Sequence, residues 1–180
     1  AHPALSPDEK TLYFASDMPG SFGKSDIYKV KINDDGTFGT PENLGKTINT
    51  EGRETYPFVT AKNELYFSSD AHPGLGGLDI YATKIAEDGS LKGLVLNIGE
   101  EANSPKDDFA FIINSETKRG FLSSNRDGGN GSDDIYKFSF NSHATRVSGK
   151  LLLTENVKDP AKNTLVYLMN SKGERIDSLH

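Results

Sequence analysis

The chain has no cysteine and no tryptophan in 180 residues, and its 20 lysines and arginines are outnumbered by 26 aspartates and glutamates. Without cysteine there is no disulfide, no thiolate metal site and no cysteine nucleophile, while either redox compartment stays open. Without tryptophan the indole platforms of many sugar sites are missing, so a glycan site would rest on tyrosine and phenylalanine. The net charge of −6, with a sequence pI of about 5.2 and no basic run, offers nothing to displace counterions from a phosphate backbone. Nucleic acid is therefore not an expected partner. No apolar run approaches the roughly 18 residues a membrane helix requires, and this stretch is not expected to insert into a membrane.

What the chain does have is glycine and internal repetition. Its 18 glycines and 8 prolines imply frequent turns. A block in which an apolar strand ends in Ser-Asp or Ser-Asn, and a glycine-rich loop leads to Asp-Ile-Tyr, occurs three times. The copies are Leu12–Asp17 with Asp26-Ile27-Tyr28, Leu65–Asp70 with Asp79-Ile80-Tyr81, and Gly120–Asn125 with Asp134-Ile135-Tyr136. A second block, Asn43-Leu44-Gly45 with Ile48-Asn49-Thr50, returns as Asn97-Ile98-Gly99 with Ala102-Asn103-Ser104. Between the blocks sit Asp35-Gly36 and Asp88-Gly89, which suit two-residue hairpin turns.

Each repeat thus holds about four short strands, placed in the second copy near 56–60, 64–68, 79–84 and 90–94, with no helical periodicity. The expected fold is all-β: three four-stranded repeats, spanning about 1–50, 51–104 and 105–143, packed as blades of a β-propeller whose ring is incomplete within this stretch. The pattern breaks at Asn141-Ser142-His143. Residues 144–180, with strands expected at 146–153 and 164–169, read as the opening of a separate β-sandwich domain. The whole reads as a portion of a longer protein.

The lead-in His2-Pro3-Ala4-Leu5-Ser6-Pro7-Asp8-Glu9-Lys10, with Ser-Asp, the glycine loop and Asp-Ile-Tyr, resembles the TolB-type, WD-like propeller repeat, with Glu9 where that repeat usually has glycine. The His-Pro-Gly-Leu-Gly-Gly-Leu-Asp-Ile-Tyr run at 72–81, followed by Asn-Ile-Gly and Asn-Ser, resembles envelope proteins of the OmpA family linked to gliding and type IX secretion, the PorE-like components among them. That resemblance implies a carboxypeptidase-regulatory-like sandwich at 144–180. It also implies a location at the periplasmic face of the outer membrane, envelope proteins as partners, and peptidoglycan contacts made only through a domain outside this chain.

No catalytic or cofactor-binding residue is singled out. Asp26, Asp79 and Asp134, each followed by Ile and by Tyr28, Tyr81 or Tyr136, read as structural repeat positions whose carboxylates accept N–H groups of the neighbouring loop. The competing reading is calcium, carried by Asp127, Asp133 and Asp134 in the third loop, where carboxylates and flexible carbonyls gather as hard cations prefer. The four histidines show no metal spacing, and His72 beside Pro73 reads as a solvent-facing turn residue. No Gly-x-Ser-x-Gly elbow offers an activated serine. Tyr13, Phe14, Tyr66 and Phe67 read as core. The functional expectation is a non-enzymatic, protein-binding scaffold of the cell envelope; the alternatives are a propeller that gates a peptidase, or a calcium- or glycan-binding module.

Overall fold

The computed structural model describes residues 2–140 and, beyond them, the strands Leu152–Leu153, Asn156–Pro160, Val166–Met169 and Arg175–Leu179. The chain divides into two compact units, Ala1–Asn141 and Ser142–His180. The described residues are all-β, without a helix.

Three antiparallel sheets make up the first unit. The first runs β1 (Pro3–Leu5), β2 (Thr11–Ser16), β3 (Asp26–Lys31) and β4 (Glu42–Asn43). The second runs β5 (Glu54–Val59), β6 (Glu64–Ser69), β7 (Asp79–Lys84) and β8 (Leu96–Asn97). The third has β9 (Asp108–Asn114), β10 (Arg119–Ser124) and β11 (Asp134–Ser139). Strands are joined in chain order, and the register repeats: Ser16 faces Asp26, Ser69 faces Asp79 and Ser124 faces Asp134. In the second unit Leu152–Leu153 (β12) pairs with Asn156–Pro160 (β13), and Val166–Met169 (β14) with Arg175–Leu179 (β15). Of the strands expected there, residues 146–151 and 164–165 lie outside the described residues.

Three local expectations are corrected. The fourth strand of the second repeat is Leu96–Asn97, paired with Tyr81 and Ala82; of 90–94 only Leu91 makes a bridge, to Ile85. The third repeat has three strands, not four, among the described residues. The turns at Asp35-Gly36 and Asp88-Gly89 hold three residues rather than two. Asn33 N–H reaches Thr37 O, Gly36 N–H closes on Asn33 O, and Gly36 takes φ 80°; Ala86, Gly89 and Ser90 repeat this, with Gly89 at φ 74°. This is a type I turn followed by a left-handed residue, where glycine avoids the Cβ clash. At the equivalent turns before β2 and β6, Glu9 and Asn63 take the left-handed conformation themselves, at φ 59° and 56°.

Alternation along the strands sends successive side chains to opposite faces, and the second sheet buries apolar side chains on both. Tyr13, Ala15, Ile27 and Ile48 of the first repeat form one core with Val59, Leu65, Phe67 and Tyr81 of the second. Tyr66, Ile80 and Ala102 of the second form another with Phe111, Ile113 and Leu122 of the third. The cores therefore lie between sheets, as in stacked repeats where a single copy cannot bury its own apolar face. Tyr13, Tyr66 and Phe67 are buried and Phe14 half-buried.

Candidate functional site

Each Asp-Ile-Tyr aspartate holds the glycine loop that precedes it. Asp26 accepts Phe22 N–H at 2.8 Å and Gly23 N–H at 3.2 Å, Asp79 accepts Leu75 and Gly76 at 2.6 and 3.0 Å, and Asp134 accepts Asn130 and Gly131 at 2.8 and 3.0 Å. Asp26 also takes the Asn43 amide at 2.6 Å. In the second repeat the corresponding atoms, Asn97 Nδ2 and Asp79 Oδ1, are buried without a partner, and burial pushes the Asp79 carboxyl up. Tyr28 and Tyr81 bind the same loops, through Ser21 Oγ at 2.8 Å and His72 O at 3.0 Å. Tyr136 instead lies under the Arg126 guanidinium, 4.8 Å from its ring centre.

The loops in turn dock on the next repeat. Lys24 N–H donates to Gly52 O and Glu54 N–H to Ser25 O; Gly77 N–H donates to Lys106 O and Asp108 N–H to Leu78 O. A buried acid closes each of these two junctions. Glu54 accepts Thr50 N–H (2.7 Å), Thr50 Oγ1 (2.6 Å) and Ser69 Oγ (2.6 Å). Asp108 accepts Ser104 N–H and Oγ, and pairs with Arg126 at 2.5 Å.

The shorter acid leaves room that Arg126 fills, its Nε on Ser124 Oγ and its Nη2 on Ala102 O. In the first junction that carbonyl position belongs to Ile48, and His72 Nε2 meets it at 2.8 Å. A carbonyl only accepts, so Nε2 carries the proton. His72 is thus not solvent-facing: it is half-buried, with its ring 5.1 Å from Tyr81 and 5.8 Å from Phe67. Glu54, Asp108 and Arg126 were not anticipated from sequence. Their signal was an acid four residues after Thr50 and after Ser104, at the same point of both repeats.

In the third loop Asp134 is committed to two backbone N–H groups and Asp127 lies 3.2 Å from the Lys106 ammonium; Asp133 is exposed. The three are not brought together as ligands: among the described residues no three acidic or histidine side chains converge as a metal-ligand set.

Where β1, β5 and β9 lie side by side there is an open apolar groove of about 380 Å³, lined by His2, Tyr56, Phe58, Ala110 and Ile112 among others. Its rim is strained: Tyr56 and Ala110 hold φ at 49° and 51°, beside breaks in the strand registers. The His2 ring stacks on Tyr56 with centroids 3.9 Å apart, His2 Nδ1 lies 2.7 Å from Thr55 Oγ1, and burial pushes the imidazole pKa down. The groove has the size and apolarity to take a side chain of a partner, and its histidine is kept neutral more readily than a free one. Compared with protein-family models and with curated proteins, the chain matches none.

Proposed function

We propose that the three sheets are blades of a β-propeller acting as a non-enzymatic docking scaffold of the bacterial envelope, at the periplasmic face of the outer membrane. In this reading the chain forms part of an OmpA-family protein linked to type IX secretion, followed by a carboxypeptidase-regulatory-like sandwich. The observation that carries the propeller is the junction between repeats, built twice from the same parts: an aspartate-held glycine loop on the next repeat's backbone, a buried acid, and a shared core. Blade stacking requires such a repeated interface. The scaffold role is supported by what the buried acids do, since Asp26, Glu54 and Asp108 all accept from loop backbone, which suits a rigid surface. The envelope assignment rests on the resemblance of the 72–81 run and its Asn-Ile-Gly and Asn-Ser followers.

The test is affinity capture from an envelope extract of the source bacterium, comparing the native chain with a Tyr56→Ala, Phe58→Ser variant in the groove. Outer-membrane or periplasmic proteins should be enriched on the native chain and lost on the variant. Equal capture by both, or capture of no envelope protein, contradicts the proposal.

A further inference from the structure

The three Asp-Ile-Tyr segments share sequence and strand register but not surroundings. Ile27 and Ile80 are 0% exposed, whereas Ile135 is 78% exposed. The same face repeats the contrast: Tyr13 and Tyr66 are buried while their counterpart Phe121 is 46% exposed, and Ile112 is 47% exposed where Ala4 and Phe58 pack into the cores.

What closes the first two isoleucines is a short segment with a fixed chemistry. Asn49 accepts Ile27 N–H at 2.7 Å and donates to Ile27 O at 3.0 Å; Asn103 does the same to Ile80 at 2.8 and 2.9 Å. Six residues earlier, Asn43 and Asn97 take an N–H from Gly45 and Gly99, and from the second asparagine, while sitting in the two-residue strands that pair with β3 and β7. Apolar side chains at the intervening positions, Leu44 with Ile48 and Ile98 with Ala102, pack into the cores. The shared pattern is Asn, apolar, Gly, two variable residues, apolar, Asn, then Thr or Ser. Among the described residues β11 has a neighbour on its β10 side alone, and residues 141–180 contain no such pattern.

We propose that the free edge of β11, with Ile112, Phe121 and Ile135 beside it, is a docking site for an extended segment of this asparagine-glycine type, which adds a short strand and closes Ile135 with its second asparagine. The occupant is set by continuity with the two junctions already formed, where the same strand and the same isoleucine receive that segment. The carboxamide is the discriminating group, because one side chain must both accept an N–H and donate to a C=O of the same residue; a carboxylate of equal size only accepts. Backbone pairing supplies the strand addition and the apolar positions supply the fit.

The probe is the synthetic peptide of this chain's residues 41–54, titrated onto the full chain and followed by the amide resonances of the protein. The expected result is saturable one-site binding that shifts Ile135 and its β11 neighbours, at least tenfold weaker for an Asn49→Asp peptide and lost on an Ile135→Lys protein. Because Ile135 is exposed, that variant keeps the fold. No saturation at millimolar peptide, or equal binding by the Asn49→Asp peptide, overturns the proposal. Concentration-dependent oligomers in sedimentation velocity that disappear with Ile135→Lys would assign the face to a second copy of the chain and overturn it as well.

Discussion

Replacing Gly76 with alanine should destabilise the first compact unit by about 3 kcal/mol, whereas the same change at Gly131 should cost about 0.5 kcal/mol or less. The two glycines hold equivalent places, three residues before the Asp-Ile-Tyr aspartate. A Cβ on Gly76 would fall on the carbonyl oxygens of Ser104 and Lys106, where the loop meets the next repeat. These are backbone atoms, so relief requires the two sheets to separate. At Gly131 the nearest atom to a Cβ is 3.5 Å away, an ordinary contact. Gly23→Ala should resemble Gly76→Ala, since its Cβ would meet the carbonyls of Thr50 and Gly52. The measurement is thermal unfolding of the three variants side by side. For a unit of this size the penalty corresponds to a fall in Tm of roughly 6–12 °C for the first two positions and little for the third.

Glu54→Ala should cost about 4 kcal/mol, among the largest single effects in the chain. The carboxylate is fully buried and accepts three donors, Thr50 N–H, Thr50 Oγ1 and Ser69 Oγ, and each buried donor left without a partner costs about 1–3 kcal/mol. Glu54→Gln should cost less, about 1–2 kcal/mol, because hydroxyl groups can turn to accept from the new amide while its oxygen receives Thr50 N–H. Asp108→Ala should match Glu54→Ala for a further reason, since it strands the Arg126 guanidinium at a buried junction. Equilibrium unfolding in urea orders the three variants. If Glu54→Ala and Glu54→Gln lose equal stability, the acid acts through packing rather than as an acceptor.

The repeat was legible because its parts are local. The Ser-Asp to Asp-Ile-Tyr spacing and the continuous apolar, aromatic run Leu65-Tyr66-Phe67 mark a hairpin, and β6 and β7 lie where that pattern puts them. The outer strand was misplaced because Leu96–Asn97 is two residues long and Leu94 and Leu96 are both exposed, so apolar alternation carries no information there. His72 was misread because the group it meets, Ile48 O, is 24 residues away in the preceding repeat. Glu54 and Asp108 were missed for the same kind of reason. They differ in length, and the difference is compensated by Arg126, a partner 18 residues from Asp108 that sequence spacing does not connect to it. The groove between β1, β5 and β9 was equally hidden, since it arises from three strands separated by about fifty residues each and from left-handed backbone at Tyr56 and Ala110, residue types that do not advertise it.

The most direct test of the claim that junctions, rather than the segments themselves, order these repeats is amide hydrogen exchange at Ile27, Ile80 and Ile135. The first two N–H groups are buried and bound to Asn49 and Asn103, so they should exchange only through large-scale opening of the unit. The Ile135 amide, in an identical Asp-Ile-Tyr segment at the uncovered edge, should exchange at least a hundredfold faster, on the order of a 2.7 kcal/mol difference in opening free energy. Equal protection at all three positions would contradict the account.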